Sequence, residues 1–308
     1  MNTTPNPASQ ESGDPALAGV AIPSCPRTLT ELQHELASET PDIRKVTTAV
    51  GNDIALSVAV LRTVNSPIYA LPKQVGNIAQ AVSMIGLRRL GVLVTNTLIR
   101  QALKFEGLNL DEFWSVSTKR AFWMTRLSKR IKGVDVDTAH SVGLLCDLGV
   151  PLLMQKFKDY ADTYKLANEL NVGIPLLKRQ FPMMAQVIGK GSDDETRRFT
   201  EIEFEKHGIE HAQIGAMMAR TWGLGPILCD AIRRHHDYTV FWDKNATPAV
   251  AQVVAMTLVT EYGIHRSTGG EATSEWEHGG DSALAVIRWN LEDVEDWVQD
   301  MLSEDVTL

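Results

Sequence analysis

Apolar residues in this chain recur at three- and four-residue spacing, in segments bounded by residues that start or stop helices. No segment alternates apolar and polar residues with the β-branched enrichment of a strand, so the expected fold class is all-α. Leu29, Leu32 and Leu36 share a face behind a cap at Thr28 or Thr30, and Pro41 ends that segment. A helix is expected over 42–50, and Asp53 caps another that turns Leu56, Val60, Leu61 and Val64 inward. Asn65-Ser66-Pro67 stops it, because proline lacks an amide hydrogen and pushes Ser66 out of helical geometry. Asn77 caps a helix to Ile85, and Gly86 separates it from one over 87–103. Asp111 and Glu112 open a helix with Trp114, Ala121, Met124, Leu127 and Ile131 inward, which Gly133 ends. Further helices are expected over 138–146, 151–171, 208–222, 227–235 and 248–263, then a Gly/Thr/Glu loop over 265–280.

Residues 1–26 hold five of the 13 prolines and read as a flexible arm. Two helical parts follow, 27–105 and 106–265, and then a linker with an acidic C-terminal helix over 266–308. The formal charge of −8 lies mostly at that end. From Glu271 onward there are eleven acidic residues and one basic residue, Arg288, which leaves the remainder near neutral. A body of that charge is a poor polyanion binder, so nucleic acid is an unlikely partner. The most apolar run, 249–260, is too short for a membrane span, and no basic-then-apolar leader opens the chain. Cys25, Cys146 and Cys229 are odd in number and form no CxxC pair. Free thiols, and hence a cytoplasmic location without a membrane partner, are expected.

The residues able to carry chemistry are scattered over helices. Cys146 and Asp147 sit side by side in Gly143-Leu-Leu-Cys-Asp-Leu-Gly149; His211 opens one helix, and Ile232-Arg-Arg-His-His-Asp237 ends another. Imidazole and carboxylate are ligands of hydrolytic divalent-metal sites. Each also has a structural reading: Asp147 as a buried hydrogen-bond acceptor, His211 and His235 as core histidines, Cys146 as a small hydrophobe. His207 reads as a helix-end residue and His236 as solvent-facing. Lys119, Arg120, Arg126, Lys129, Arg130 and Lys132 form a basic run without an acid, either a solvated helix face or a face for an anionic ligand or partner.

Phe113-Trp114, the Gly143–Gly149 segment, His211-Ala-Gln-Ile-Gly-Ala, Trp222-Gly-Leu and Ile-Arg-Arg-His-His together resemble an HD-superfamily helical domain. Upstream, Asn65-Ser66-Pro67-Ile-Tyr69, Ile78-Ala-Gln-Ala-Val and Ile85-Gly-Leu-Arg-Arg-Leu90 resemble the HDOD family, an HD-related output domain of bacterial signalling proteins. The resemblance covers about 22–259. It implies an HD-like helical bundle preceded by an N-terminal helical part, and a regulatory role commonly without catalysis. It also implies that Val116, Cys146 and Met256 stand where metal ligands would be. Asp147, His211 and His235, with Cys146 as a thiolate, would then hold at most one ion, and a Cys ligand would favour zinc. A non-catalytic regulator that binds signalling proteins or a small ligand such as a nucleotide second messenger is therefore expected, with no cofactor. The alternative is a metal-dependent phosphohydrolase or phosphodiesterase with an altered mononuclear site. On this reading Asn65, Ser66, Pro67 and Tyr69 are family-motif residues that shape a helix end.

Overall fold

The computed structural model describes residues 19–66, 69, 71–180 and 198–304, with side chains undescribed over 173–180 and at Glu304. Most of the expected N-terminal arm, over 1–18, lies outside the described residues, as does Pro67. Among the described residues the protein is all-α, without a strand. It divides into two compact units, Pro23–Gly107 and Leu108–Leu308.

In the first unit the caps expected at Asp53 and Asn77 are present and Asp42 adds a third, whereas the cap expected at Thr28 or Thr30 does not form, because that helix starts at Arg27 behind Pro26 without a side-chain cap. Asp42 accepts from the Arg44 and Lys45 amides at the start of Ile43–Gly51. Asp53 accepts from the Leu56 amide at the start of Ile54–Val64, and Asn77 from the Gln80 amide at the start of Ile78–Ile85. Each bond satisfies an amide that has no partner within its helix. Asn65 ends the Ile54–Val64 helix and does more than stop it. Its amide nitrogen donates to the Val75 carbonyl at 2.9 Å, and its carbonyl accepts from the Val75 amide at 2.8 Å. Ser66 donates to the Thr63 carbonyl, and the Tyr69 amide donates to the Ser66 carbonyl. Among the described residues, this motif clamps a loop.

The second unit is built around the Pro248–Ser267 helix, whose Val250, Val253, Val254, Met256 and Val259 are buried in one core with Trp123, Met124, Leu127, Val142 and Cys146. One stretch, Val136–Lys156, is apolar enough by composition to cross a membrane. Most of it is buried inside the protein, which accounts for that apolarity as core.

The C-terminal region departs from the expected loop and single appended helix. It forms two helices, Ser274–Ile287 and Leu291–Glu304, separated at Arg288, which takes the left-handed conformation at φ 60°. Thr273 caps the first through the Trp276 amide. Gly279 and Gly280, which suggested a loop, are packing positions instead. A Cβ at Gly279 would lie 2.7 Å from the Tyr238 ring. Val294, Trp297, Val298 and Met301 enter the main core, where Trp297 packs edge-on against Trp123 with ring centroids 5.2 Å apart. Arg130, in the basic run, pairs with Asp300 at 2.5 Å. The Phe199–His207 helix has no counterpart in the sequence reading. Its sequence, FTEIEFEKH, carries no apolar stripe, yet it buries Phe199, Ile202 and Glu203.

Candidate functional site

Asp147 lies in the turn between Val136–Leu145 and Gly149–Lys156. Gly149 brings it to the histidines. A Cβ at that position would lie 2.0 Å from the His211 carbonyl oxygen, and Gly215 faces the Gly149 amide in return. Two helices therefore cross with backbones in contact, and the start of His211–Thr221 rests beside Asp147. Gly149→Ala is expected to force these helices apart at a cost of about 1–3 kcal/mol, seen as a lowered urea midpoint. An unchanged midpoint would refute the close crossing.

Residues from several helices and from two turns, at Asp147 and at His235-His236, supply the centre. Asp147 Oδ1 lies 3.2 Å from His235 Nε2 and 3.3 Å from His211 Nε2, and the two histidine nitrogens are 3.1 Å apart. His235 donates through Nδ1 to the Ile232 carbonyl at 2.8 Å, which leaves its Nε2 lone pair facing the centre. His211 Nδ1 is 2.7 Å from Glu203 Oε2, which also accepts from the His211 amide at 3.0 Å. The Tyr160 hydroxyl donates to the other oxygen of Glu203. Arg120 enters from the opposite side. Its Nη2 is 2.7 Å from Asp147 Oδ2, its Nη1 donates to Glu261 at 2.9 Å, and its Nε donates to the Gly143 carbonyl at 2.9 Å. His236 stacks on Phe199 and lies 3.5 Å from Glu275, which also accepts from the Tyr238 hydroxyl and the Phe199 amide.

The charges follow from these contacts. Burial alone would neutralise His211, but the Glu203 carboxylate and the hydrogen bonds to Asp147 and Glu203 outweigh it and push its pKa up to about 10. Burial, with the neighbouring His236, pushes His235 down to about 4. Burial opposes ionisation of Asp147, yet Arg120 and the histidines hold it well below the usual carboxylate range. His236 and Tyr238 similarly hold Glu275 at about 2 against burial. Burial raises Glu261 and keeps the Cys146 thiol protonated.

These shifts fix a pH profile. His235 and His140 titrate near 4 when folded and near 6.5 when unfolded, so the unfolded state binds more protons between those values. Stability is expected to fall as pH drops through that window, by up to about 1.4 kcal/mol per pH unit for each histidine. His211 has the opposite sign: its contribution is present below 6.5 and is lost as pH rises through about 10. Urea titrations across pH check both limbs. His235→Asn should flatten the acid limb, and an unflattened limb would contradict the assignment.

The structure sorts the expected site residues. Asp147, His211 and His235 converge. His236, expected at the surface, is buried and joins them within 4.8 Å. Cys146 is fully buried in the apolar core and outside that cluster. Met256 is likewise core; the Pro248–Ser267 helix reaches the centre through Glu261. Val116 is half exposed and lines a cavity beside the centre. The basic run divides: Arg120, one turn beyond Val116, is 4% exposed and is the cation of the site. Lys119 and Arg126 are partly buried, and Lys129, Arg130 and Lys132 are exposed. Glu203, Glu261 and Glu275 were missed. Their spacing from the histidines varies, and only the fold brings them together.

A family model for the HDOD domain matches residues 22–169 and 170–238. An uncharacterised protein of Treponema pallidum (strain Nichols) is 24% identical over 229 residues, which are 70% of this chain and 38% of that protein. The chain thus spans well under half of that relative's length. Among solved structures, an HDOD domain protein of unknown function from Geobacter sulfurreducens is 21% identical, with a TM-score of 0.59 over 93% of this chain and 91% of that one. A candidate phosphohydrolase from Shewanella amazonensis SB2B is 20% identical, with a TM-score of 0.59 and 91% of each chain covered. A candidate signal transduction protein from Marinobacter aquaeolei VT8 is 17% identical, with a TM-score of 0.60 over 92% of this chain and 57% of that one. At these identities the likenesses establish the fold.

Proposed function

The chain belongs to the HDOD domain family, and from that premise we propose that it is a regulatory signalling protein without catalytic activity. The observation that carries this reading is Arg120. Its guanidinium is buried against Asp147 and Glu261, so a fixed protein cation neutralises carboxylates that a hydrolytic centre would give to metal. With His211 also held charged by Glu203, the centre balances its own charge. A water-activating site needs the opposite, an uncompensated cluster of anions and lone pairs that draws in metal. The description of the Marinobacter structure as a candidate signalling protein is consistent with this role.

One observation favours a second reading, a single-ion phosphohydrolase. Asp147 Oδ1, His211 Nε2 and His235 Nε2 form a triangle with edges of 3.1–3.3 Å. An ion about 2.1 Å from each atom would meet them at angles near about 100°, as one face of a tetrahedral or octahedral shell. These three residues therefore fit one divalent transition metal, which would supply Lewis acidity if His211 gave up its proton. Metal analysis of protein purified without chelator separates the readings. We expect metal well below one ion per chain, and a stoichiometric ion would favour the second reading.

A further inference from the structure

The Tyr160–Gln180 and Phe199–His207 helices are attached to the second unit differently from the rest of it. Ala167, Phe199 and Ile202 are buried in a small core of their own, with Tyr164 and Leu170 against it, separate from the core around Pro248–Ser267. The two helices are also joined to each other. Thr163 bonds to His207 at 2.9 Å, and Tyr164 meets Phe199 edge-on. Where they face the charged centre, a cavity of about 320 Å³ takes the place of packing. Tyr164, Asn168 and Phe199 line their side of it, and Arg120, Leu258 and Glu261 line the other.

Hydrogen bonds tie this seam, and Phe199 stacks on His236 across it. Glu203, on the helix pair, accepts from the His211 amide at 3.0 Å. Glu275, on Ser274–Ile287, accepts from the Phe199 amide at 3.0 Å, and its own amide donates to Asn171 Oδ1 at 3.0 Å. All three amides lie in the first turn of their helices, where no acceptor exists within the helix. Their protection from water therefore depends on the seam. Water can take over a hydrogen bond at small net cost, whereas exposed apolar core has no such substitute. A small satellite core held by such bonds opens before the main core does.

We propose that residues 163–172 and the Phe199–His207 helix form a cover that opens as one unit over the centre, with Glu275 as the latch that ties it to the C-terminal helices. The proposal goes beyond the non-catalytic reading, because the cover stands over the centre whether or not metal binds there. Glu275 also accepts from the Tyr238 hydroxyl and lies 3.5 Å from His236, so the latch meets the cover and the centre together. A partner that displaces Ser274–Ile287 would thereby uncover the centre.

Hydrogen exchange of the full chain, resolved to single amides, tests this. In the wild type, residues 164–172 and 203–207 and the amides of Phe199, His211 and Glu275 should share one protection factor, at least about tenfold below that of residues 253–259 in the main core. Glu275→Gln should lower the cover's protection by about a further tenfold and leave 253–259 unchanged. Because that variant also disturbs His236 and Tyr238, Asn171→Ala is the second probe. It removes only the acceptor of the Glu275 amide, and should loosen the cover in the same direction without affecting 253–259. Seam amides as protected as 253–259, seam amides that do not follow the cover, no loss in either variant, or equal losses in cover and core would each overturn the proposal. The wild-type comparison decides even where a variant fails to fold. Hydrolytic turnover would instead defeat the non-catalytic reading and leave the cover standing.

Discussion

Arg120→Ala should destabilise the protein by about 3–5 kcal/mol and lower its melting temperature by roughly 10 °C. The cost comes less from the lost attraction than from what remains. Asp147 would keep only His211 and His235, Glu261 would lose the partner that favours its ionised form, and the Gly143 carbonyl would lose its donor. Arg120→Lys should recover only part of the loss, because one ammonium cannot span Asp147, Glu261 and Gly143 in the fixed fork of a guanidinium. If Arg120 replaces the charge of an ion, Arg120→Ala should also regain stability on addition of zinc or manganese, while the wild type should not. Scanning calorimetry of the three proteins, with and without metal, reads both effects. A melting temperature for Arg120→Ala within a degree or two of wild type would show that the buried pairs contribute nothing net.

Removing residues 289–308 is expected to unfold the second unit outright. Val294, Trp297, Val298 and Met301 are each at most 2% exposed, and Trp297 fills the space over Gly263, where a Cβ would lie 2.8 Å from its ring. Trp297→Ala alone should cost about 3–5 kcal/mol. Truncation would also expose Trp123, which is fully buried, so tryptophan emission should shift to the red together with a loss of helical circular dichroism. Asp300→Asn provides the contrast. It removes only a partly exposed ion pair with Arg130, and should cost less than about 1 kcal/mol. A truncated protein with native helicity and buried tryptophans would contradict this account of the core.

These two regions mark where the sequence was readable and where it was not. The helix starts at Asp53 and Asn77 could be read because a cap is a local bond between a side chain and an amide three residues on. The convergence of Asp147, His211 and His235 could be read through the family pattern. Arg120 could not, because a basic residue among basic neighbours looks solvated until the partner carboxylates, 27 and 141 residues away by number, are placed beside it. The glycines at 279 and 280 misled for a related reason. A glycine that permits close packing and one that permits a turn look the same in sequence. Met256 and Cys146 were assigned by position in a pattern, whereas the fold buries both in apolar core and brings Glu261 to the centre.

On the proposed reading, the Arg120 guanidinium stands in place of metal and the centre does not hydrolyse phosphoesters. The most direct measurement is turnover of phosphomonoester and phosphodiester substrates by the full chain, with magnesium, manganese or zinc supplied, alongside Asp147→Ala. We predict no hydrolysis above the buffer rate in either protein with any of these ions. Metal-dependent turnover in the wild type that disappears in Asp147→Ala would contradict the account.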